Sequence, residues 1–328
     1  MHLNRSTISN RVSVMQQFDI IKCHGSGNDF ILVDVAHNPS LAALDWSAFA
    51  RWACNRTTGI GSDGVLLVVR NEAGIYGMDM LNPDGTHAEM CGNGIRCVAR
   101  YAYERGYIAE RGVITSGGRE YRVARAGAIA EAIPTFSVEI PIRLWSHDFP
   151  FFAPEASLVG ERVEALDDEL QFTALNLGNP HLVAAVESIS LEKLTTLGEK
   201  VLTLKELLPN GVNVSLYECR TPRSIFVATY ERGAGITLSC GTAMTASATA
   251  AALLSRVVRG ERIEVRNRGG MVYCTTLPEG DLVTRLEGNA TFEWRGSVTY
   301  GDEGYGYVRT QDYGEAEAWQ RFVDELNR

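Results

Sequence analysis

Apolar and polar positions follow one order twice along this chain. In the first half, short apolar runs bounded by turn residues predict strands at 18–22, 30–33, 65–69 and 77–81. An amphipathic pattern predicts a short helix at 45–54. In the second half, similar runs predict strands at 171–177, 212–217 and 225–230, with a helix near 191–206. The repeated order predicts two related structural units.

Each half continues into a Cys-Gly pair that opens a predicted helix. The first pair lies in MCGNG at 90–94 and the second in SCGTA at 239–243. Asn82 precedes Cys91 by nine residues, and Glu231 precedes Cys240 by nine. The matched spacing predicts a duplication with pseudo-twofold symmetry, in which both helix N-termini face one cleft. We therefore expect an α+β fold of two domains, each a mixed, mostly antiparallel sheet or barrel around a central helix.

Cys91 and Cys240 are the candidate chemical groups. A thiol at a helix N-terminus experiences the positive end of the helix dipole and lies near unpaired backbone N–H groups. This position is expected to lower the thiol pKa and to make the thiolate reactive. Two such thiols favour paired acid and base chemistry on one substrate. The remaining five cysteines are expected to be small buried side chains.

Length and composition restrict the class of protein. A chain of 328 residues predicts two domains, and a net charge of −9 disfavours nucleic acid and anionic membranes as partners. No apolar segment approaches the roughly 18 residues that a membrane helix needs. The seven cysteines are an odd number and fit a reducing cytoplasm.

Domain limits follow from the same patterns. Residues 1–17 are polar and are expected to form a flexible extension rather than a secretory signal. The predicted units are 18–137, with a return strand at about 294–310, then 138–293, and a C-terminal helix at 311–328. Residues 141–170, rich in proline and acidic residues, are expected to form an insertion between the units.

Six motifs in order make the resemblance specific. They are HGSGNDF at 24–30, CGNG at 91–94, NPH at 179–181, NGVN at 210–213, ERGAG at 231–235 and CGT at 240–242. Together they resemble the diaminopimelate epimerase family over roughly residues 18–300, in the longer form of some Gram-positive bacteria. The resemblance implies cofactor-independent epimerisation of LL- to meso-diaminopimelate, in lysine and peptidoglycan precursor synthesis. It also implies an amino-acid substrate, and a homodimer is possible.

The resemblance implies roles for particular residues. Cys91 and Cys240 become the acid/base pair, and His181 and Glu231 support proton transfer. The expected substrate-binding residues are Asn28, Asn82, Gly92, Asn93, Asn179, Asn213, Glu231, Arg232, Gly241 and Thr242. No metal is expected, because Cys91 and Cys97 do not have the spacing of a zinc ligand pair. The four lysines lie in no catalytic motif, which disfavours a pyridoxal-phosphate Schiff base.

Three departures from the family pattern leave the substrate open. Ile236 stands where the family often has Glu, Ala243 where it usually has Gly, and Gly64 where some members have Gln. One alternative is a cofactor-independent racemase of another amino acid, such as histidine. A regulatory thiol switch and a binding module with a degenerate site are the alternatives from other classes.

Overall fold

The fold uses one order of elements twice, in a computed structural model that describes residues 16–88, 90–149, 156–301 and 304–326. The first half contains β1 (Gln16–Gly25), β2 (Asn28–Asp34), a 3₁₀ helix (Pro39–Ala43), α1 (Trp46–Ala53), β3 (Gly64–Arg70), β4 (Tyr76–Leu81), β5 (His87–Ala88), α2 (Gly92–Glu104), β6 (Arg111–Ser116), β7 (Arg119–Arg125) and β8 (Thr135–Pro141). The second half contains β9 (Val159–Val163), β10 (Asp167–Asn176), β11 (Pro180–Ala185), α3 (Leu191–Thr203), β12 (Asn213–Thr221), β13 (Ser224–Glu231), β14 (Gly235–Thr237), α4 (Gly241–Leu253), β15 (Ile263–Asn267), β16 (Gly270–Thr276) and β17 (Val283–Asn289). The chain continues with β18 (Thr291–Gly301), β19 (Gly304–Asp312) and α5 (Glu315–Leu326).

The pattern of strand pairing is also repeated between the two halves. The parallel pairs β2–β3 and β4–β6 of the first half correspond to β11–β12 and β13–β15 of the second. The antiparallel pairs β1–β2, β3–β4, β4–β5, β6–β7 and β7–β8 correspond to β10–β11, β12–β13, β13–β14, β15–β16 and β16–β17. The predicted mixed, mostly antiparallel α+β architecture is confirmed, and the doubled pairing is compatible with pseudo-twofold symmetry.

The halves join where β8 pairs antiparallel with β17, so that Thr135 lies opposite Asn289 and Pro141 opposite Val283. Because equivalent strands meet here, the contact continues the hydrogen-bonded ladder of each half into the other. Both central helices contact this strand pair, α2 through β8 and β17 and α4 through β17.

The central helices α2 and α4 are enclosed by their sheets. Residues 92–102 of α2 and 241–252 of α4 are all buried. The α4 helix has no charged residue on any face, as expected of a buried helix, whereas α2 also buries the polar side chains of Asn93, Arg96 and Arg100. The run of small residues in α4 fits that position, because small side chains allow close contact with the sheet on every face.

The last elements tie both halves together. The strand β18 pairs antiparallel with β1, and β19 pairs with β18. On α5, the buried Trp319 reaches Gly270 of the second half, and Glu315 forms an ion pair with Arg100 of α2. In the described part of the chain, no helix has the length and apolar content needed to cross a bilayer.

The domain limits expected from the sequence remain a prediction. Several strands begin or end at residues other than those expected from the sequence. Residues 1–15 of the predicted extension lie outside the described residues, whereas Gln16 and Gln17 belong to β1. The segment predicted as an insertion contains β9 and the start of β10, which pair with each other. Polar strand positions and a bulged register weaken the alternating pattern there, so the sequence did not indicate these strands.

Gly198 offers a stability test of the packing between α3 and β13. A side-chain carbon at this position would lie 2.1 Å from Cγ of Tyr230. We expect Gly198→Ala to lower the free energy of unfolding by about 2 kcal/mol, because overpacking outweighs the better helix propensity of alanine. Urea denaturation measures the change. Gly127→Ala, where nothing lies within 4 Å, is the control; equal effects in both variants would contradict the clash.

Candidate active site

The N-termini of α2 and α4 lie against each other at the junction of the two halves. A side-chain carbon on Gly241 would lie 2.8 Å from Oδ1 of Asn93, and one on Gly92 would lie 3.8 Å from the Gly241 carbonyl carbon. Glycine therefore permits the close approach of the two helix starts. Cys91 and Cys240 are the N-cap residues of these helices, with nearly equal backbone angles of φ −134°, ψ 110° and φ −130°, ψ 110°.

Cys91 lies in a network of amide groups. Its sulfur accepts from the backbone N–H of Gly94 at 3.4 Å, and its thiol faces Oδ1 of Asn28 at 3.8 Å. The same Asn28 oxygen accepts from Nδ2 of Asn93 at 3.2 Å, while Nδ2 of Asn28 donates to Asp63 at 2.8 Å. The structure thus brings the predicted residues Asn28 and Asn93 together around the first thiol.

Cys240 has a different set of partners. Its sulfur lies 3.4 Å from Oγ1 of Thr242, which accepts from Nδ2 of Asn179 at 3.2 Å and lies 3.1 Å from Nε2 of His181. The Glu231 carboxyl group lies close enough to the Cys240 thiol for its charge to raise the pKa of that thiol. Four of the residues predicted from the second half therefore surround the second thiol.

Burial controls the protonation of both thiols. It raises the pKa of Cys91 to about 11, although the N–H groups of Gly94 and Asn93 and the charge of Arg96 oppose the rise. Burial and then the Glu231 carboxylate raise the pKa of Cys240 well above its usual value. The sequence-based expectation of lowered thiol pKa values is wrong for this structure, because loss of solvent outweighs the helix N-terminus.

Two neighbouring groups are also shifted by burial. It lowers the pKa of His181 to about 3, so the imidazole is neutral near pH 7. It raises the pKa of the Glu231 carboxyl group, against the opposing hydrogen bonds from Thr237 and Cys240. The raised pKa makes the Glu231 carboxyl group better matched to proton exchange with a thiol, whereas the neutral His181 imidazole is suited to hydrogen bonding rather than to taking up a proton.

The raised pKa of Cys91 has a direct consequence for its reactivity. Only the thiolate is alkylated, so we expect the rate of Cys91 alkylation by iodoacetamide to rise about tenfold per pH unit between pH 7 and 10. Mass spectrometry of the labelled peptide measures this rate in the ligand-free protein. A rate that levels off below pH 8 would show that the thiol pKa is lowered instead.

Three further predicted residues lie at strand limits, with Asn82 directly after β4, Asn213 at the start of β12 and Arg232 directly after β13. At the end of β4, Asn82 donates to Oγ1 of Thr86 at 3.0 Å. Oδ1 of Asn213, on β12, accepts from the backbone N–H of Arg232 at 3.0 Å. The exposed Arg232 guanidinium donates to the carbonyl of Asn210 at 2.9 Å. Within the described ranges, no hydrogen bond joins Asn82, Asn213 or Arg232 to either cysteine.

Asp63 belongs to the site as well, although none of the sequence motifs includes it. One carboxylate oxygen of Asp63 accepts from Asn28 and from the backbone N–H of Asp29 at 3.1 Å, and the other accepts from Arg56 at 2.7 Å. The Asp63 charge also raises the pKa of Glu231, across the junction. The sequence does contain a signal for this residue. Asp63 lies in the glycine-rich loop GIGSDG at 59–64, directly before a buried strand, and polar loop residues at strand ends often belong to functional sites.

Comparison with solved structures defines the class of fold. A phenazine biosynthesis protein of the PhzF family from Bacillus anthracis superposes with a TM-score of 0.62 at 16% identity, covering 86% of this chain and 99% of that one. A probable proline racemase from Agrobacterium radiobacter gives 0.59 at 14% identity, over 88% and 92% of the two chains. A hydroxyproline epimerase from Agrobacterium vitis gives 0.58 at 13% identity, over 90% and 92%. At these identities the likeness shows a shared fold, in a class that includes racemases and epimerases.

Sequence comparison then identifies the family. The model of the diaminopimelate epimerase family matches residues 20–129 and 173–293. The diaminopimelate epimerase of Clostridium acetobutylicum is 38% identical over 286 residues, which are 86% of this chain and 86% of the relative. That of Listeria monocytogenes is 36% identical over 325 residues, 95% of this chain and 98% of the relative. The chain belongs to the diaminopimelate epimerase family.

Proposed function

We propose that this protein interconverts LL- and meso-2,6-diaminopimelate by proton transfer between the substrate α-carbon and two thiols, Cys91 and Cys240. The observation that supports it most strongly is the contact between two helix N-termini that each begin at one of these cysteines. Family membership supports the substrate.

Epimerisation needs a base on one face of the α-carbon and an acid on the other. One thiolate removes the α-proton, and the opposite thiol then donates its own proton to the other face. The carbon inverts, the first cysteine ends as a thiol and the second as a thiolate, so protons balance. The reverse reaction exchanges the two roles, which explains why both groups have to ionise.

The helix N-termini stabilise the charge that develops on the substrate. Removal of the α-proton moves negative charge onto the α-carboxylate. Backbone N–H groups at a helix start bind such an anion and are already oriented for it. In this mechanism Gly92 and Asn93 of α2 and Gly241 and Thr242 of α4 supply those N–H groups. The substrate ammonium lowers the pKa of the thiol that it faces, so that ionisation accompanies binding.

The differences between the halves serve the distal part of the substrate. Arg232 provides a guanidinium for the distal carboxylate, and Glu231 accepts from an ammonium group. Asn82, Asn179 and Asn213 supply amide donors and acceptors for the remaining polar atoms. A substrate with an amino acid at each end fits this combination of charges.

Chiral chromatography of the purified protein with LL-diaminopimelate in D₂O tests the proposal. We expect formation of the meso isomer, with deuterium at the inverted α-carbon and without any added cofactor. Racemisation of histidine with none of diaminopimelate would favour the rival racemase. Binding without exchange would favour a binding module, and a Cys91–Cys240 disulfide in a protein without exchange would favour a thiol switch.

Several finer points remain part of the proposal. A small amino-acid substrate is consistent with the family. The absence of a cofactor, a cytoplasmic location, a possible homodimer and the absence of nucleic-acid or membrane partners are predictions from the sequence. The place in lysine and peptidoglycan precursor synthesis follows from the proposed substrate.

A further inference from the structure

Arg96 is fully buried on α2, one turn after Cys91. Its Nε donates to the carbonyl of Asn289 at 3.1 Å, and Nη1 donates to the carbonyl of Gly92 at 2.9 Å. Its Nη2 donates to Oδ1 of Asn93 at 3.0 Å and to Oγ of Ser26 at 3.3 Å. All four of these acceptors are uncharged, so the hydrogen bonds hold the guanidinium in place without neutralising it.

The backbone forms a close-fitting niche for this guanidinium. Side-chain carbons on Gly25 and Gly288 would each lie 2.9 Å from Nη2 of Arg96. A larger residue at either position would displace the charged group. The niche is formed by β1, β17 and α2 itself, which are the elements that meet beside Cys91.

Among the described residues, Arg96 interacts electrostatically with three thiols and one imidazole. Cys97 lies on α2, Cys91 is its N-cap, and Cys274 lies on β16. His24, on β1, is neutral near pH 7, because burial lowers its pKa to about 4. No carboxylate of the described residues forms an ion pair with Arg96. Of these groups, Cys91 is the one that ionises in the proposed mechanism.

A buried charge is costly unless an opposite charge or a full set of hydrogen bonds compensates it. Burial lowers the pKa of Arg96 to about 10, which leaves the guanidinium charged near pH 7. When Cys91 becomes a thiolate, the opposite charge lies nearby and the cost falls. The same guanidinium holds Asn93, whose amide bonds the Asn28 oxygen that faces the Cys91 thiol.

The second half has no such cation at the matching position. Thr245 stands five residues after Cys240, as Arg96 stands five after Cys91. Oγ1 of Thr245 donates to the carbonyl of Gly241 at 2.8 Å, which repeats the bond from Arg96 to Gly92 without its charge. Both halves therefore share the hydrogen bond to the carbonyl of the first helical glycine, but only the half that contains Cys91 has a positive charge at this position.

We propose that Arg96 is a positioning residue that fixes Gly92 and Asn93 at the start of α2 and stabilises the ionised form of Cys91 during turnover. The proposal deepens the proposed two-thiol function and rests on it for its consequence in catalysis. Its electrostatic part concerns the ligand-free protein and can be measured without substrate.

Alkylation of Cys91 and Cys240 by iodoacetamide across pH, in Arg96→Met, Arg96→Lys and the unchanged protein, tests the charge. In Arg96→Met we expect Cys91 to react about tenfold more slowly at each pH below its midpoint, a shift of about one pH unit. In Arg96→Lys the charge remains, so the Cys91 profile should stay within about 0.3 pH units. Cys240 should be unaffected in both variants.

Steady-state kinetics test the positioning. Arg96→Lys keeps the charge but loses the planar fork, so we expect kcat to fall about tenfold with a smaller change in KM. Arg96→Met should lower kcat about 100-fold. Arg100→Met is the matched control, because Arg100 is buried on the same helix but pairs with Glu104 and Glu315. It should leave the Cys91 alkylation profile unchanged.

Three results would overturn the proposal. The first is an alkylation profile of Cys91 that does not change in Arg96→Met. The second is a loss of specificity, in which Cys240 shifts as much as Cys91 or Arg100→Met shifts Cys91 as much as Arg96→Met does. The third is an unchanged kcat in Arg96→Lys. Circular dichroism shows whether Arg96→Met is folded. If it is not, a shift of a full pH unit in the Cys91 alkylation profile of Arg96→Lys would also overturn the proposal. A protein without epimerase activity but with the expected Cys91 shift would refute the proposed function and leave the electrostatic role of Arg96 standing.

Discussion

Replacing either Cys91 or Cys240 by serine is expected to lower kcat for diaminopimelate epimerisation by about 10³-fold. A serine hydroxyl fits the space of the thiol but ionises far less readily, so the variant lacks one of the two proton-transfer groups. Because both cysteines act on one carbon in the proposed mechanism, the double variant should be little slower than either single variant. Chiral chromatography of the two diaminopimelate isomers measures the rates in both directions.

The exposed Cys219 offers the control for this experiment. Cys219→Ser should retain kcat within about twofold and an unchanged urea midpoint. Thermal unfolding of the Cys91 and Cys240 variants should show intact, cooperative proteins. A Cys91→Ser or Cys240→Ser protein that keeps more than about one tenth of the original kcat would be incompatible with a two-thiol mechanism.

The sequence alone predicted most of the doubled architecture. Two Cys-Gly pairs with equal offsets to Asn82 and Glu231 indicated the repeat, and the strand pairs of the two halves agree with it. Local patterns are sufficient for this result, because strand and helix periodicity, turns and helix starts are all written in neighbouring residues. The pairing of β8 with β17 joins positions far apart in the chain, and no local pattern indicates it.

Several of the residues named from the sequence lie near the two cysteines in the structure, but the electrostatics of the candidate site do not follow from the sequence. Asn28, Asn93, Asn179, His181 and Thr242 do lie around the thiols. The thiol pKa values were misjudged, since the helix N-terminus is a local feature whereas desolvation depends on the complete fold.

The sequence does not single out Arg96, for the same reason. A charged residue within a helix usually points to solvent, and only the packed structure shows that this one is fully buried behind Cys91. Similarly, Asp63 acquires its partners Asn28 and Arg56 from other segments of the chain.

Arg232 gives the second large effect, this time on binding of substrate. We expect Arg232→Met to lower kcat/KM for LL-diaminopimelate about 100-fold, mainly through KM, because a fork of N–H donors to the distal carboxylate is lost. The distal carboxylate is remote from the inverted carbon, so kcat should fall much less. Arg232→Lys retains the charge but loses the planar fork of donors. Its kcat/KM should therefore lie between the values of the unchanged protein and of Arg232→Met. Initial rates over a range of substrate concentrations separate the two constants.

Arg259 provides a matched control for Arg232, since its guanidinium also donates to a backbone carbonyl, that of Leu277, at 2.9 Å. Arg259→Met should therefore change kcat/KM by less than about twofold. The comparison also tests the substrate itself, because an amino acid without a distal carboxylate has nothing for Arg232 to bind. If Arg232→Met lost activity equally on diaminopimelate and on such an amino acid, the guanidinium would hold the loop before β12 through Asn210 rather than bind the substrate.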